Sequence, residues 1–354
     1  MKSKIIINSE NRFQRIINVL LLNASFIDNL GLMHGKMGIA IFFFHLSRET
    51  KNQIYENYAG ELIDEIYEEI TVTTPLDFEN GLAGIGWGIE YLVQNGFLEA
   101  DTDEVLEDFD NRLLPARNQF EGIGLLNGLT GFGAYYLKRI QNPASSDDNV
   151  TTLLNKQMLV HLIDELELRI NNEGVMSLIK GSEIFTLTWD YPVLIGFLTD
   201  VYQLNLFNFK VGRMLHQLID HLFQSENIPK QHSKHLLLAL VLEKTKKCKI
   251  EQLEDGSIDK IIQNLLIGID RETLSKELVT NSSFMQNGTS GIVWIYKQLF
   301  QLTGKENYQT EILYWNNRSF EFDETDQGYV GFNVAKENED KAFGLLVGLA
   351  GINL

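Results

Sequence analysis

Three eight-residue segments of this chain carry glycine at their first, fifth and eighth positions. They are Gly31-Leu-Met-His-Gly35-Lys-Met-Gly38, Gly124-Leu-Leu-Asn-Gly128-Leu-Thr-Gly131 and Gly344-Leu-Leu-Val-Gly348-Leu-Ala-Gly351. Two shorter segments keep the last pair, Asn80-Gly81-Leu-Ala-Gly84 and Asn287-Gly288-Thr-Ser-Gly291. Chance produces a few bare Gly-x-x-Gly pairs in a chain with 28 glycines, but not the longer form three times. The spacing is regular as well, with 46 residues from Gly35 to Gly81 and 47 from Gly81 to Gly128. The 160 residues from Gly128 to Gly288 leave room for two further units, and 60 more lead to Gly348. Self-similarity at such a period marks stacked supersecondary units. About seven are expected here.

Each glycine pair opens an apolar run. Gly84 is followed by Ile85-Gly-Trp-Gly-Ile-Glu-Tyr-Leu92, and Gly291 by Ile292-Val-Trp-Ile-Tyr-Lys-Gln-Leu299. Between the pairs lie amphipathic stripes such as Ile54, Tyr58, Leu62, Ile66 and Ile70, or Leu154, Met158, Leu162, Leu166 and Ile170. Apolar residues three or four apart predict helices, and period-two alternation is nowhere sustained. The unit is therefore a helical hairpin. A helix apolar around most of its circumference must be covered on all sides, so the glycine-led helices form an inner layer and the amphipathic ones an outer layer. Glycine at the inner starts allows close backbone approach and positive φ. An open solenoid and a closed ring both satisfy this pattern. With 5 prolines and no polar linker, residues 1–354 read as one domain.

Composition removes several classes of function. The net charge is −18, so binding to nucleic acid or to an anionic membrane works against Coulomb repulsion. Cys248 is the single cysteine, which excludes an internal disulfide and any zinc site built from two thiolates. Met1-Lys-Ser-Lys-Ile-Ile-Ile-Asn8 has only three apolar residues, short of the roughly seven to fifteen of an export segment. No run approaches the roughly 18 apolar residues of a membrane span. A soluble, cytoplasmic protein is expected.

The glycine motifs at 31–38, 80–87, 124–131, 287–291 and 344–351 resemble those of the lanthionine synthetase C-like family, the cyclases of lanthipeptide biosynthesis and their relatives. The resemblance runs from about residue 31 to the end. It implies an all-α fold, an α/α toroid of seven inner and seven outer helices, with the glycine turns at one end of a central cavity. The family's cyclases hold zinc through a Cys in a Trp-Cys-x-Gly repeat and an adjacent Cys-His pair before a glycine, and use a His of another repeat as acid or base. In this sequence the Cys-His-Gly position reads Gln286-Asn287-Gly288. Counting back 48 residues places the Trp-Cys-x-Gly repeat near residue 240, in a stretch without Cys. An alternative alignment sets Trp189-Asp190-Tyr191 at that repeat, with Asp in place of Cys. Either way zinc is expected to be absent, because amides are poor zinc ligands beside thiolate and imidazole.

The remaining candidates sit near the expected mouth. His34 precedes Gly35 and reads as a structural histidine. His232 and His235 share a helix face without an evident carboxylate. Asp77, Glu79 and Asp190 read as helix-start carboxylates, or else as the paired acids of a glycoside hydrolase. Asn80, Asn127 and Asn287 read as amides capping the inner helices. The inner helices are expected to offer unpaired N–H groups at the mouth to an extended peptide, with Trp87 or Trp189 receiving its apolar side chains. Three functional readings follow: a zinc-free, catalytically degenerate scaffold binding a precursor peptide or a peptide-modifying enzyme; an enzyme of metal-independent chemistry; and a carbohydrate-active toroid.

Overall fold

Glycine pairs do begin helices in the computed structural model, which describes residues 2–120, 122–143, 149–180, 184–223, 227–253, 255–278 and 284–321. A leading helix α1 (Lys2–Asn23) is followed by hairpins of one inner and one outer segment. They are α2 (Lys36–Thr50) with α3 (Gln53–Glu69), then α4 (Leu82–Gln94) with the short α5 (Thr102–Val105) and α6 (Glu107–Leu113). Next come α7 (Leu129–Ile140) with α8 (Val150–Glu173), a short α9 (Val175–Lys180), and α10 (Asp190–Gln203) with α11 (Asn208–Asp220). The last are α12 (His232–Lys247) with α13 (Asp255–Leu266) and α14 (Arg271–Glu277), and α15 (Thr289–Thr303) with α16 (Asn307–Glu321). Each inner helix packs on the next, from α2 through α4, α7, α10 and α12 to α15. The two units expected between Gly128 and Gly288 are thus α10 and α12. The motif containing Gly348 and Gly351 lies outside the described residues, so six of the expected seven inner helices are seen.

The outer helices bury the stripes that periodicity assigns to them, shifted along the helix. In α3 the buried residues are Ala59, Leu62, Ile63 and Ile66, while Ile54 is exposed. In α8, Met158, Leu159, Leu162, Ile163, Leu166 and Ile170 are buried and Leu154 is exposed. Two charged residues of the inner layer are buried because they are paired. Lys36 reaches Glu65 and Glu69 of α3 at 2.8 Å each. Arg139 on α7 meets Glu90 at 2.6 Å, Asp103 at 3.0 Å and Asp110 at 2.9 Å, which ties together α4, α5, α6 and α7. Removing one partner of such a network strands a buried charge. Among the described residues, no helix is long and apolar enough to cross a membrane.

The glycines serve close approach, not positive φ. Gly35, Gly81, Gly128 and Gly288 are the N-caps of α2, α4, α7 and α15, with φ from −113° to −129° and extended ψ. Three residues on, a β-carbon added at Gly84, Gly131 or Gly291 would collide with the carbonyl oxygen six residues earlier, that of Phe78, Leu125 or Met285. The expectation of left-handed backbone at these sites is corrected accordingly.

Packing at these turns is expected to be unforgiving. Gly131→Val should cost at least about 1 kcal/mol, in the range of overpacked sites. Gly60 in α3 has nothing within 4 Å of an added β-carbon, so Gly60→Ala should stabilise by up to about 1 kcal/mol through helix propensity. Urea unfolding of both variants checks this pair. Equal and small effects would show that the turns are loosely packed.

Candidate functional site

The turns before the inner helices meet one another at one end. Met33 N–H donates to Glu79 O at 3.0 Å, and the N–H groups of Phe78 and Glu79 both donate to Leu126 O, at 3.0 and 2.9 Å. Leu187 N–H donates to Gln286 O at 2.8 Å. Asp190 accepts from the Leu125 N–H and lies against Gly124. The glycine turns at Gly35, Gly81, Gly128 and Gly288 therefore cluster at one end, as the repeats imply.

Backbone hydrogen bonding inside three of the turns overturns one expectation. The first N–H groups of α2, α4 and α7 are already satisfied by carbonyls seven residues earlier. Lys36 and Met37 donate to Asn29 and Leu30, and Leu82, Ala83 and Gly84 donate to Pro75, Leu76 and Asp77. Leu129, Thr130 and Gly131 donate in the same way to Gly122, Ile123 and Gly124. Groups that a helix normally leaves open are closed by the chain's own loop. The mouth is not a row of free donors.

The asparagine caps are corrected for the same reason. None of the four glycine N-caps has a side-chain cap bond. Asn80 Oδ1 instead accepts from Asn29 Nδ2 at 2.8 Å, pinning the first turn to the second. Asn127 is exposed. Asn287 Oδ1 is buried and has no hydrogen-bond partner among the described residues.

Asp77 and Glu79 take other roles than helix capping, while Asp190 stands in the first turn of α10 as read from the sequence. Asp77 Oδ1 accepts from Asn80 N–H at 2.7 Å and shapes its own turn. Glu79 Oε1 lies 2.8 Å from His34 Nε2, with His34 buried and Glu79 partly exposed. A carboxylate has no proton to give, so the imidazole donates from Nε2. Its Nδ1 is buried without a partner among the described residues. His34 thus has a partner that the sequence did not reveal across 45 positions. Asp190 opens α10 and is exposed as a residue. Its carboxyl is turned toward Gly124, where desolvation raises its pKa while the Leu125 N–H opposes the rise.

Trp189 is buried, donates Nε1–H to Leu178 O at 2.9 Å and carries the Lys234 ammonium 4.9 Å above its ring. It is a packed anchor and not a platform open to a peptide. Trp87 is partly exposed on α4 and stacks on Tyr91 with centroids 5.4 Å apart.

Two irregular turns explain where counting fails. The N-cap of α12 is Gln231, so residue 240 lies in mid-helix. The interval from Gln231 to Gly288 is 57 residues because α14 is inserted between α13 and α15. No glycine turn starts α12. Glu277 of α14 replaces it, accepting from His232 N–H and Ser233 N–H at 2.8 Å each and from Ser233 Oγ at 2.7 Å. A carboxylate at this position also offsets the positive end of the helix. His232 and His235, read as lacking a carboxylate, therefore stand beside Glu277 and Asp270. His232 Nδ1 is 3.5 Å from Asp270 Oδ2, and burial lowers the pKa of His235.

The family described as lanthionine synthetase C-like protein matches residues 27–176. Over those residues the chain is similar to that family. A solved structure named nisin cyclase superposes with a TM-score of 0.64 and 14% sequence identity, over 97% of this chain and 92% of that chain. This likeness extends the shared fold beyond the matched residues and makes the double layer an α/α toroid. No curated protein sequence matches the chain.

Lanthionine synthetase C-like cyclases imply a zinc ion, and the described donors before α15 do not fit one. The turn before α15 offers Gln286 and Asn287, whose amides bind zinc poorly. Gln286 is drawn toward Thr188 Oγ1 at 3.5 Å. Among the described residues, no group of three or more His, Cys, Asp or Glu side chains is placed to hold a metal ion. No chemical step is therefore derived through zinc.

The His34–Glu79 pair joins the first two turns and should matter to stability. Glu79→Ala strands a buried imidazole and is expected to cost about 1–3 kcal/mol. Asn127→Ala, at an exposed site, should stay within about 0.5 kcal/mol of the parent. Chemical unfolding compares the two. A silent Glu79→Ala would remove the pair from the list of bonds that hold the mouth together.

Proposed function

We propose that this lanthionine synthetase C-like protein is a zinc-free, catalytically degenerate member that binds a precursor peptide or a peptide-modifying enzyme without forming thioethers itself. One observation carries the reading. The turn before α15 keeps its backbone geometry, with Gly288 as N-cap and Gln286 O bonded to Leu187 N–H, while amides stand where the family's cyclases carry thiolate and imidazole. The scaffold is retained and the Lewis acid's ligands are not. A zinc cyclase makes the substrate thiol a thiolate and hence a nucleophile. Without the metal, a substrate cysteine keeps its ordinary reactivity.

A second reading, metal-independent chemistry, rests on the His34–Glu79 pair. An imidazole oriented by a carboxylate is the arrangement that serves proton transfer in many sites. The buried position of His34 weighs against it, since a base must reach the proton it removes. The carbohydrate reading lacks support at two points. Asp77 and Glu79 are committed to Asn80 and His34, and Trp189 is sealed in the core.

The test mixes purified protein with a dehydrated, cysteine-bearing precursor peptide and follows both binding and free thiol. Micromolar binding, about −8 kcal/mol, with thiol loss no faster than without protein, is the expected result. Elemental analysis of the same preparation should give no stoichiometric zinc. Accelerated thiol loss, or about one zinc per chain, would make the protein a working cyclase and overturn the proposal.

A further inference from the structure

Away from the glycine turns, a cation on an inner helix has no counter-ion among the described residues. Helical geometry locates it. On α4, Gly86 faces Phe109 of α6 and Tyr135 of α7, and Gly88 faces Met37 of α2. Trp87 and Tyr91, four residues apart, remain on the uncovered face and are partly exposed. On α7, Gly133 faces Phe197 of α10 and Tyr135 faces α4, which leaves Ala134 and Lys138 on the corresponding face. Two neighbouring inner helices thus turn Trp87, Tyr91 and Lys138 toward the axis.

Lys138 Nζ sits 5.8 Å from the Trp87 ring centroid and 5.5 Å from that of Tyr91. These distances are near the limit at which a ring attracts a cation. Among the described residues no carboxylate lies within 4.0 Å of the ammonium. Glu90, which acts on it electrostatically, is held by Arg139, Gln94 and Asn142. Asp200 on α10 is held by Lys244 at 2.6 Å. His45 closes the edge, its Nε2 2.8 Å from Tyr91 Oη.

A basic residue in the last turn of a helix has an ordinary role, which is to offset the negative end of the dipole. That role leaves the ammonium in water or paired. Arg139 on the same turn is paired, and so is Lys244 in the last turn of α12. Lys138 is instead partly desolvated, and burial lowers its pKa. A desolvated charge on an aromatic floor, with Glu90 already taken by other partners, gains most from an anion brought by a ligand.

We propose that Lys138, over the stacked Trp87 and Tyr91, is a subsite for a carboxylate carried next to an apolar group, as at the C-terminus or an acidic side chain of a peptide. The proposal deepens the peptide-binding reading and rests on it for the identity of the ligand, but the subsite itself can be tested with a small probe. The probes are N-acetyl-phenylalanine and its amide, which differ only in the carboxylate.

The acid should bind at least tenfold more tightly than the amide by titration calorimetry, a difference of about 1.4 kcal/mol. It should also protect Lys138 from acetylation in a mass-spectrometric footprint. Lys138→Met should reduce the acid to the level of the amide and leave the amide unchanged, while Lys138→Arg keeps the preference. Equal binding of the two probes, no binding of either, or equal weakening of both by Lys138→Met would overturn the subsite. The footprint on native protein decides the matter if Lys138→Met does not fold. Failure of the peptide reading looks different: the precursor peptide does not bind while the acetylated acid still does.

Discussion

The first three hairpins depend on one backbone arrangement, the bond from the first N–H groups of α2, α4 and α7 to carbonyls seven residues earlier. A buried helix start cannot leave its donors unmet, because each orphan in an apolar layer costs the desolvation it does not recover. The loop folds back tightly enough to supply them, and that closeness leaves no volume for a β-carbon at the second glycine. Gly84 and Gly131 are the direct consequence, and Gly291 meets the Met285 carbonyl oxygen in the same way. The same loops then present a carbonyl two residues before the N-cap to the turn of a neighbouring hairpin, through Glu79 O, Leu126 O and Gln286 O. One motif therefore terminates a helix and joins the repeats.

The exceptions follow the same rule by other means. Glu277 brings a charged acceptor to α12 from 44 residues away, where no glycine loop exists. The carboxylate is a stronger acceptor than a peptide carbonyl, and it suits a turn that also carries two histidines. At α10 the N-cap is Trp189, whose indole is anchored to Leu178 O. The turns before α10 and α15 touch through Leu187 and Gln286 although α12 lies between them in sequence.

How much of this was legible in the sequence depends on whether a feature is periodic. The number and order of hairpins, the inner and outer layers and the common end of the glycine turns all follow from repeat spacing and helical period. Stripe edges did not, because Ile54 and Leu154 fit the period but overhang their neighbours. The reason for the glycines was half legible. Close approach was correct, while positive φ was not, since the loop closes with extended backbone. Site geometry was the least legible part. His34 and Glu79 sit in different repeats, and only the relative rotation of two turns brings them to 2.8 Å. Aligning the repeats on their N-caps could have found them, as His34 is one residue before Gly35 and Glu79 two residues before Gly81.

That alignment also separates the positions that hold the turn from those that carry its side-chain donors. At the N-cap and three residues beyond it, the backbone contact restricts the side chain to glycine in the regular turns. At the two positions before the N-cap, the bonds that close the turn are made by the main chain, and the side chains make separate contacts such as His34–Glu79 and Asn80–Asn29. Those positions hold Met33 and His34, Glu79 and Asn80, Leu126 and Asn127, and Gln286 and Asn287. Side chains there project from a turn that is already closed, so thiol, imidazole, amide or aliphatic groups can exchange at little cost to the hydrogen bonds beneath them. The unpartnered Oδ1 of Asn287 fits this account: stability does not require an acceptor at that place, and an amide occupies it with its carbonyl unsatisfied. The glycines thus serve the fold, and the two residues before each of them set which donors the turn carries.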